Sequence, residues 1–121
     1  MGTRSKILLV DDEPAIRRIL SIKLRVSGFD VITANDGAEA LRLADSEGPD
    51  LMLLDVIIPG IDGFRVLEQL RAYSNLPVIV FSARPENASK AMSLGANEFL
   101  TKPFDVDDLL KRIDRSLNHK Q

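Results

Sequence analysis

The chain is predicted to be an α/β protein, with five parallel strands in one sheet and helices on both faces. Three observations predict this. First, the runs Lys6–Val10 (KILLV), Leu51–Leu54 (LMLL) and Pro77–Phe81 (PVIVF) do not alternate with polar residues, which suits strands buried on both faces. Second, stretches with apolar residues at helical spacing lie between and after these runs. Third, the links are short, and a strand–helix unit repeated five times with short links demands parallel strands covered by helices on both sides. Chain order alone leaves the order of strands in the sheet open.

The elements follow in order. Strand one is Lys6–Val10, and the acidic run Asp11, Asp12, Glu13 comes directly after it. Pro14 suits the first turn of a helix, where its missing N–H is harmless. Ile16, Ile19, Leu20 and Leu24 keep helical spacing, so helix one runs to about Ser27 and Gly28 stops it. Strand two is Phe29–Ala34. Asn35, Asp36 and Gly37 turn the chain, with Asp36 as the cap of a short helix carrying Ala40, Leu41 and Ala44. Gly48-Pro49 breaks that helix before strand three, whose apolar run ends in a single carboxylate, Asp55. The loop beyond is stiffened by Pro59 and loosened by Gly60 and Gly63. Helix three is Gly63–Ser74, with Phe64, Leu67 and Leu70 inward; strand four is Pro77–Phe81. Pro85–Leu94 is a weaker helix rich in Ala and Ser, ended by Gly95. Strand five is Glu98–Leu100. Asp105 caps a last helix whose Val106, Leu109, Leu110, Ile113 and Leu117 form one apolar stripe.

The bulk properties narrow the function classes. A length of 121 residues suits one domain over 1–121, long enough for a core without covalent staples. The net charge of −2 gives no reason to expect a nucleic-acid or membrane surface. Without cysteine, disulfides, thiolate catalysis and zinc–thiolate sites are excluded, which is compatible with a cytoplasmic protein. No apolar run is long enough to span a bilayer, and the N-terminus lacks the apolar core of a signal peptide. Met1–Ser5 reads as partly a cloning remnant.

In a parallel sheet the strand ends share one edge, and in open α/β sheets that carboxyl edge is where ligands bind. Strand one delivers Asp11 and Asp12 there, strand two Asn35, strand three Asp55, strand four Ser82 and strand five Lys102. If strands one and three are neighbours, three carboxylates converge. Two carboxylates about 5 Å apart repel by about 3 kcal/mol at an effective dielectric of about 20, so the cluster needs positive charge. Oxygen-only ligands suit a hard cation, and a loose partial cage completed by water suits Mg²⁺ better than Ca²⁺. Lys102 supplies a second positive charge and Ser82 a hydroxyl. A phosphoryl group on Asp55 would find a metal, an ammonium and a hydroxyl for its oxygens, as phosphoryl transfer requires. Taken singly, each residue has a plainer role: Asp11-Asp12 a capping turn, Asp55 a solvated strand end, Ser82 a turn residue, Lys102-Pro103 a loop entering a helix.

With KILLVDDEP, LLDVIIPGIDGF, VIVFSA and EFLTKPF in place, the chain resembles the response-regulator receiver domains of two-component signalling over essentially its whole length. The resemblance implies a flavodoxin/CheY-like doubly wound fold with strand order 2-1-3-4-5. It implies that Asp55 is the phosphoryl acceptor, supplied by a histidine kinase or a histidine phosphotransfer protein. Asp12 would bind Mg²⁺ directly, Asp11 through a water, and the Ile57 carbonyl would be a further ligand alongside Asp55. Lys102 would contact the phosphoryl group, Ser82 would swing to hydrogen-bond it, and Phe99 would turn inward as the switch aromatic. The Lys102–Pro103 bond would be cis. Such a domain catalyses its own phosphorylation and slow dephosphorylation, but its task is switching, not enzymatic turnover.

The chain departs from the family pattern in places. Ile58 replaces a common methionine, Phe99 lacks the hydroxyl of the frequent tyrosine, and the segment from Ser82 to Lys102 is a residue or two short, which bears on helix four. Arg84 stands where the family tunes water access. Lys90, Glu98, Asp108 and Arg112 resemble the positions at which DNA-binding response regulators form cross-dimer ion pairs, Lys90 with Asp108 and Glu98 with Arg112. A phosphorylation-dependent symmetric homodimer is the corresponding expectation, with no direct nucleic-acid or membrane contact by this domain. Among rival classes, an unphosphorylated binding module would lack one of the acidic pair, the acceptor or the lysine. A nucleotide- or flavin-binding protein would want glycines where strand one is followed by DDEP. An aspartyl phosphatase would want a carboxylate at the position of Ile57.

Overall fold

The computed structural model describes residues 4–118, so part of the Met1–Ser5 stretch lies outside the described residues. Five strands and five helices alternate: β1 (Lys6–Val10), α1 (Pro14–Val26), β2 (Asp30–Ala34), α2 (Gly37–Ser46), β3 (Leu51–Asp55), α3 (Gly63–Arg71), β4 (Val78–Ser82), α4 (Asn87–Ser93), β5 (Glu98–Thr101) and α5 (Val106–Asn118). All strands are parallel, in the order β2-β1-β3-β4-β5. The expected doubly wound order is therefore present, with β1 beside β3.

The apolar strands divide their side chains between two layers, as the period of two in a strand requires. Leu8, Val10, Met52, Leu54, Val78 and Val80 face Ala40, Val66, Leu67, Leu70 and Ala91, on α2, α3 and α4. Ile7, Leu9, Leu51, Leu53, Ile79 and Phe81 face Leu20 and Leu24 on α1 and Leu109 and Ile113 on α5. Both sheet faces are thus buried, which is why the sequence shows no alternation.

Local chemistry sets the helix ends. Pro14 opens α1, and Gly28, at φ 102°, lets the chain leave it. Asp36 caps α2 by accepting from the Glu39 N–H at 2.8 Å. Asp62 caps α3 in the same way, accepting from the Arg65 N–H at 2.9 Å. The two glycines of the β3–α3 connection do different work, which corrects the expectation that both loosen the loop. Gly60 turns the chain at φ 76°, whereas Gly63 is the first residue of α3 and packs on backbone. A Cβ on Gly63 would lie 2.6 Å from the Asp55 carbonyl oxygen and collide with Val56 Cα. Helix α4 begins at Asn87 instead of Pro85 and spans seven residues. Helix α3 likewise ends at Arg71, before the predicted Ser74.

Candidate functional site

Parallel pairing of β1 with β3 puts Val10 opposite Leu54, so the residues that follow share one edge. Asp11, Asp12 and Asp55 each place a carboxylate oxygen there, and these oxygens all lie within 4.8 Å of one another. Asp11 is fully buried and Asp55 nearly so, at 5% exposure, while Asp12 is open to solvent. Lys102 reaches across from the end of β5. Its Nζ stands 3.0 Å from Asp55 Oδ2 and 3.5 Å from Asp11 Oδ2, with Glu13 Oε1 at 3.9 Å. The ammonium also lies 4.9 Å from the centroid of the Phe81 ring, a cation–π contact that shields one side of it. The Lys102–Pro103 bond is cis, as expected.

Backbone donors fix the carboxylates. Asp55 Oδ1 accepts from the Ile57 N–H at 3.1 Å, and Asp11 Oδ1 accepts from the Glu13 N–H at 2.9 Å. Arg17 donates to the Asp11 carbonyl oxygen at 2.8 Å, tying α1 to the end of β1. Burial pushes the Asp11 carboxyl above the usual range, helped by the nearby Asp55 charge and opposed by the Glu13 N–H and Lys102. Burial pulls the Lys102 ammonium down, but the hydrogen bond and charge of Asp55, then those of Asp11, outweigh it and leave it raised.

Three carboxylates facing one lysine leave the cluster net negative, by two charges if all are ionised. An oxygen-only donor set with an excess of negative charge fits a hard divalent cation. Asp12, exposed and without the Lys102 contact, is the carboxylate most accessible to such an ion. Ile57 is exposed, and its N–H is committed to Asp55.

Ser82 closes β4 beside this cluster, with 1% exposure. Its Oγ accepts from the Arg84 N–H at 3.1 Å and from Asn87 Nδ2 at 3.0 Å. Asn35 stands apart at the end of β2, its N–H donating to Glu39 Oε1. Phe99 is half-buried on β5, on the sheet face covered by α2, α3 and α4. The four interface candidates have contacts within their own chain. Arg112 is engaged within its own chain, 3.0 Å from Glu98 and 3.3 Å from Asp108. Lys90 Nζ lies 4.7 Å over the Phe64 ring, turned toward α3.

Sequence reasoning missed Asn87, Glu13, Arg17 and Phe81. Asn87 reads locally as a helix-start residue, Arg17 as one more exposed cation of α1, and Phe81 as core. Only Glu13 carried a signal, since it extends the acidic run after β1.

The family model described as response regulator receiver domain matches residues 7–114. Transcriptional regulatory protein KdpE of Mycobacterium tuberculosis is 46% identical over 109 residues, which make up 88% of this chain and 48% of that protein. The alkaline phosphatase synthesis transcriptional regulatory protein PhoP of Bacillus subtilis is 42% identical over 119 residues, 96% of this chain and 50% of that one. The chain spans about half the length of these curated relatives. Among solved structures, the receiver domain of Francisella response regulator 1452 superposes with a TM-score of 0.92 at 33% identity, covering 98% of this chain and 100% of that one. Chemotaxis response regulator CheY4 of Vibrio cholerae gives 0.87 at 34% identity, over 94% and 99% of the two chains.

Proposed function

The chain belongs to the response regulator receiver domains of two-component systems, and from that premise we propose that it takes a phosphoryl group onto Asp55 from a histidine kinase or histidine phosphotransfer protein, with Mg²⁺, and switches conformation. The supporting observation is the Asp55 carboxylate at the carboxyl edge of β3, 3.0 Å from the Lys102 ammonium and clustered with Asp11 and Asp12. In transfer, an Asp55 carboxylate oxygen attacks the phosphorus. The P–N bond of the donor phosphohistidine breaks, and its electron pair leaves on the imidazole nitrogen. Hydrolysis returns the Asp55 carboxylate and inorganic phosphate.

Asp12, Asp55 and the Ile57 carbonyl would hold the cation, and Asp11 would do so through a water. A bound Mg²⁺ would draw charge from the transferring oxygens. Lys102 neutralises the carboxylate that becomes the acyl phosphate, and the Ile57 N–H holds its other oxygen in place. Ser82 would hydrogen-bond the phosphoryl group and Phe99 would follow it. We read 1–121 as one receiver domain working in the cytoplasm and controlling an output, in the same chain or another, without itself touching nucleic acid or membrane. Among the described residues no helix is long and apolar enough to cross a membrane.

Intact mass after incubation with acetyl phosphate and Mg²⁺ tests this. One added phosphoryl group is expected on the wild type and none on Asp55→Asn. Modification that persists in the variant would overturn the assignment of the acceptor.

The second part of the reading is a phosphorylation-dependent dimer through α4, β5 and α5. Glu98, Asp108 and Arg112 line that face. Because Arg112 is paired within its chain, cross-dimer pairs would replace internal ones instead of adding to them.

A further inference from the structure

We propose that Asn87 is a positioning residue that latches the Ser82 hydroxyl in the resting state, so that phosphorylation must break the Asn87–Ser82 hydrogen bond. This rests on the phospho-acceptor reading above. A serine oxygen has two acceptor sites. Both are occupied here, by the Arg84 N–H at 3.1 Å and Asn87 Nδ2 at 3.0 Å. These donors lie along the β4–α4 connection, and no hydrogen bond joins Ser82 Oγ to Asp55 or Lys102. The hydroxyl proton stays free to donate, but the rotamer that accepts both bonds makes no hydrogen bond on the Asp55 side, and in the proposed latch the rotamer that reaches a phosphoryl group on Asp55 gives up the Asn87 bond.

The cost of turning falls mostly on Asn87. Arg84 is exposed, and its N–H can find water. Asn87 is half-buried at the first residue of α4, a helix with no side-chain cap of its own. The bond therefore does two things: it stabilises Ser82 in the resting position, and it ties the first turn of a seven-residue helix to that position. When Ser82 turns, α4 loses its only side-chain tether to the end of β4 among the described residues.

The test is calorimetric titration with beryllofluoride in excess Mg²⁺, on wild type, Asn87→Ala, Ser82→Ala and the double variant. Removing a net hydrogen bond from the resting state alone should tighten binding about threefold to tenfold in Asn87→Ala. Ser82→Ala should weaken binding, and in that background Asn87→Ala should change nothing beyond about twofold. Asn87→Leu, similar in shape and without a donor, is the second variant should alanine unsettle α4, and it should match the gain. Unchanged or weaker binding in both Asn87 variants would overturn the latch, as would an equal gain without the Ser82 hydroxyl. A wild type that takes no beryllofluoride, like its Asp55→Asn control, would instead overturn the phospho-acceptor reading and the latch with it.

Discussion

Asp11 is a fully buried carboxylate facing two others, and its burial raises its proton affinity. A carboxyl raised in the folded state costs stability once pH exceeds that raised value, and the cost disappears as pH falls below the ordinary carboxylate range. Asp11→Asn keeps the acceptor for the Glu13 N–H and removes the charge. It should therefore stabilise the metal-free protein at neutral pH by about 1 kcal/mol, since relief of repulsion outweighs a 3.5 Å contact with Lys102. Urea unfolding at pH 7.5 and pH 4.5 should show the gain shrinking in acid, and saturating Mg²⁺ should narrow or reverse it. Lys102 has the opposite linkage. Its raised value gives stability that is full below the ordinary lysine range and is lost as pH rises through the raised value. Thermal melts from pH 8 to pH 11 should fall more steeply for wild type than for Lys102→Met. Lys102→Ala should still be phosphorylated, because a metal ion can neutralise most of the charge, yet should fail to pass the signal on. Complete loss of phosphorylation with Mg²⁺ binding intact would contradict that division.

At the scale of elements, the entry to α3 is where the site meets the scaffold. The Gly63 N–H donates to the Val56 carbonyl oxygen at 2.9 Å, directly after Asp55. A methyl group on Gly63 meets backbone that cannot rotate aside, so Gly63→Ala should cost about 3 kcal/mol and weaken Mg²⁺ binding by displacing the β3 end. Gly60→Ala meets nothing within 4 Å and strains only a positive φ, so about 1 kcal/mol is expected in the same urea series. Equal losses would show that loop freedom, not close packing, is what both glycines supply. Asp62→Ala removes the α3 cap and should cost about 1 kcal/mol.

For the whole molecule, the α4–β5–α5 face carries pairs that are closed within one chain. Glu98 serves both Arg112 at 3.0 Å and Arg115 at 2.9 Å. Exchanging exposed pairs for cross-dimer ones gains about 0–1 kcal/mol each. Any dimer induced by beryllofluoride should consequently be weak, detectable by sedimentation at hundreds of micromolar (an estimate from those small pair energies) and lost in Arg112→Glu. A monomer under all these conditions would leave a switch that acts on another protein. Lys90, held over Phe64, has to abandon that ring to join such an interface.

Much of the fold was legible from residues alone because it is local. Pro14, Gly28, Asp36 and Gly95 mark helix ends through backbone rules, and the unbroken apolar runs mark strands buried on both sides. The convergence of Asp11, Asp12, Asp55 and Lys102 was legible too, since a parallel sheet sends every strand end to one edge. The placing of β1 against β3 came from the family resemblance and not from periodicity, while only the tertiary structure divided each apolar strand between two helical layers and paired Glu98 with Arg112 inside the chain. It also turned Lys90 toward α3 and gave Ser82 its partner in Asn87. These features depend on which non-neighbouring elements dock and which rotamer each side chain then takes. No local periodicity encodes that, because the free energy deciding it is shared between segments far apart in the chain.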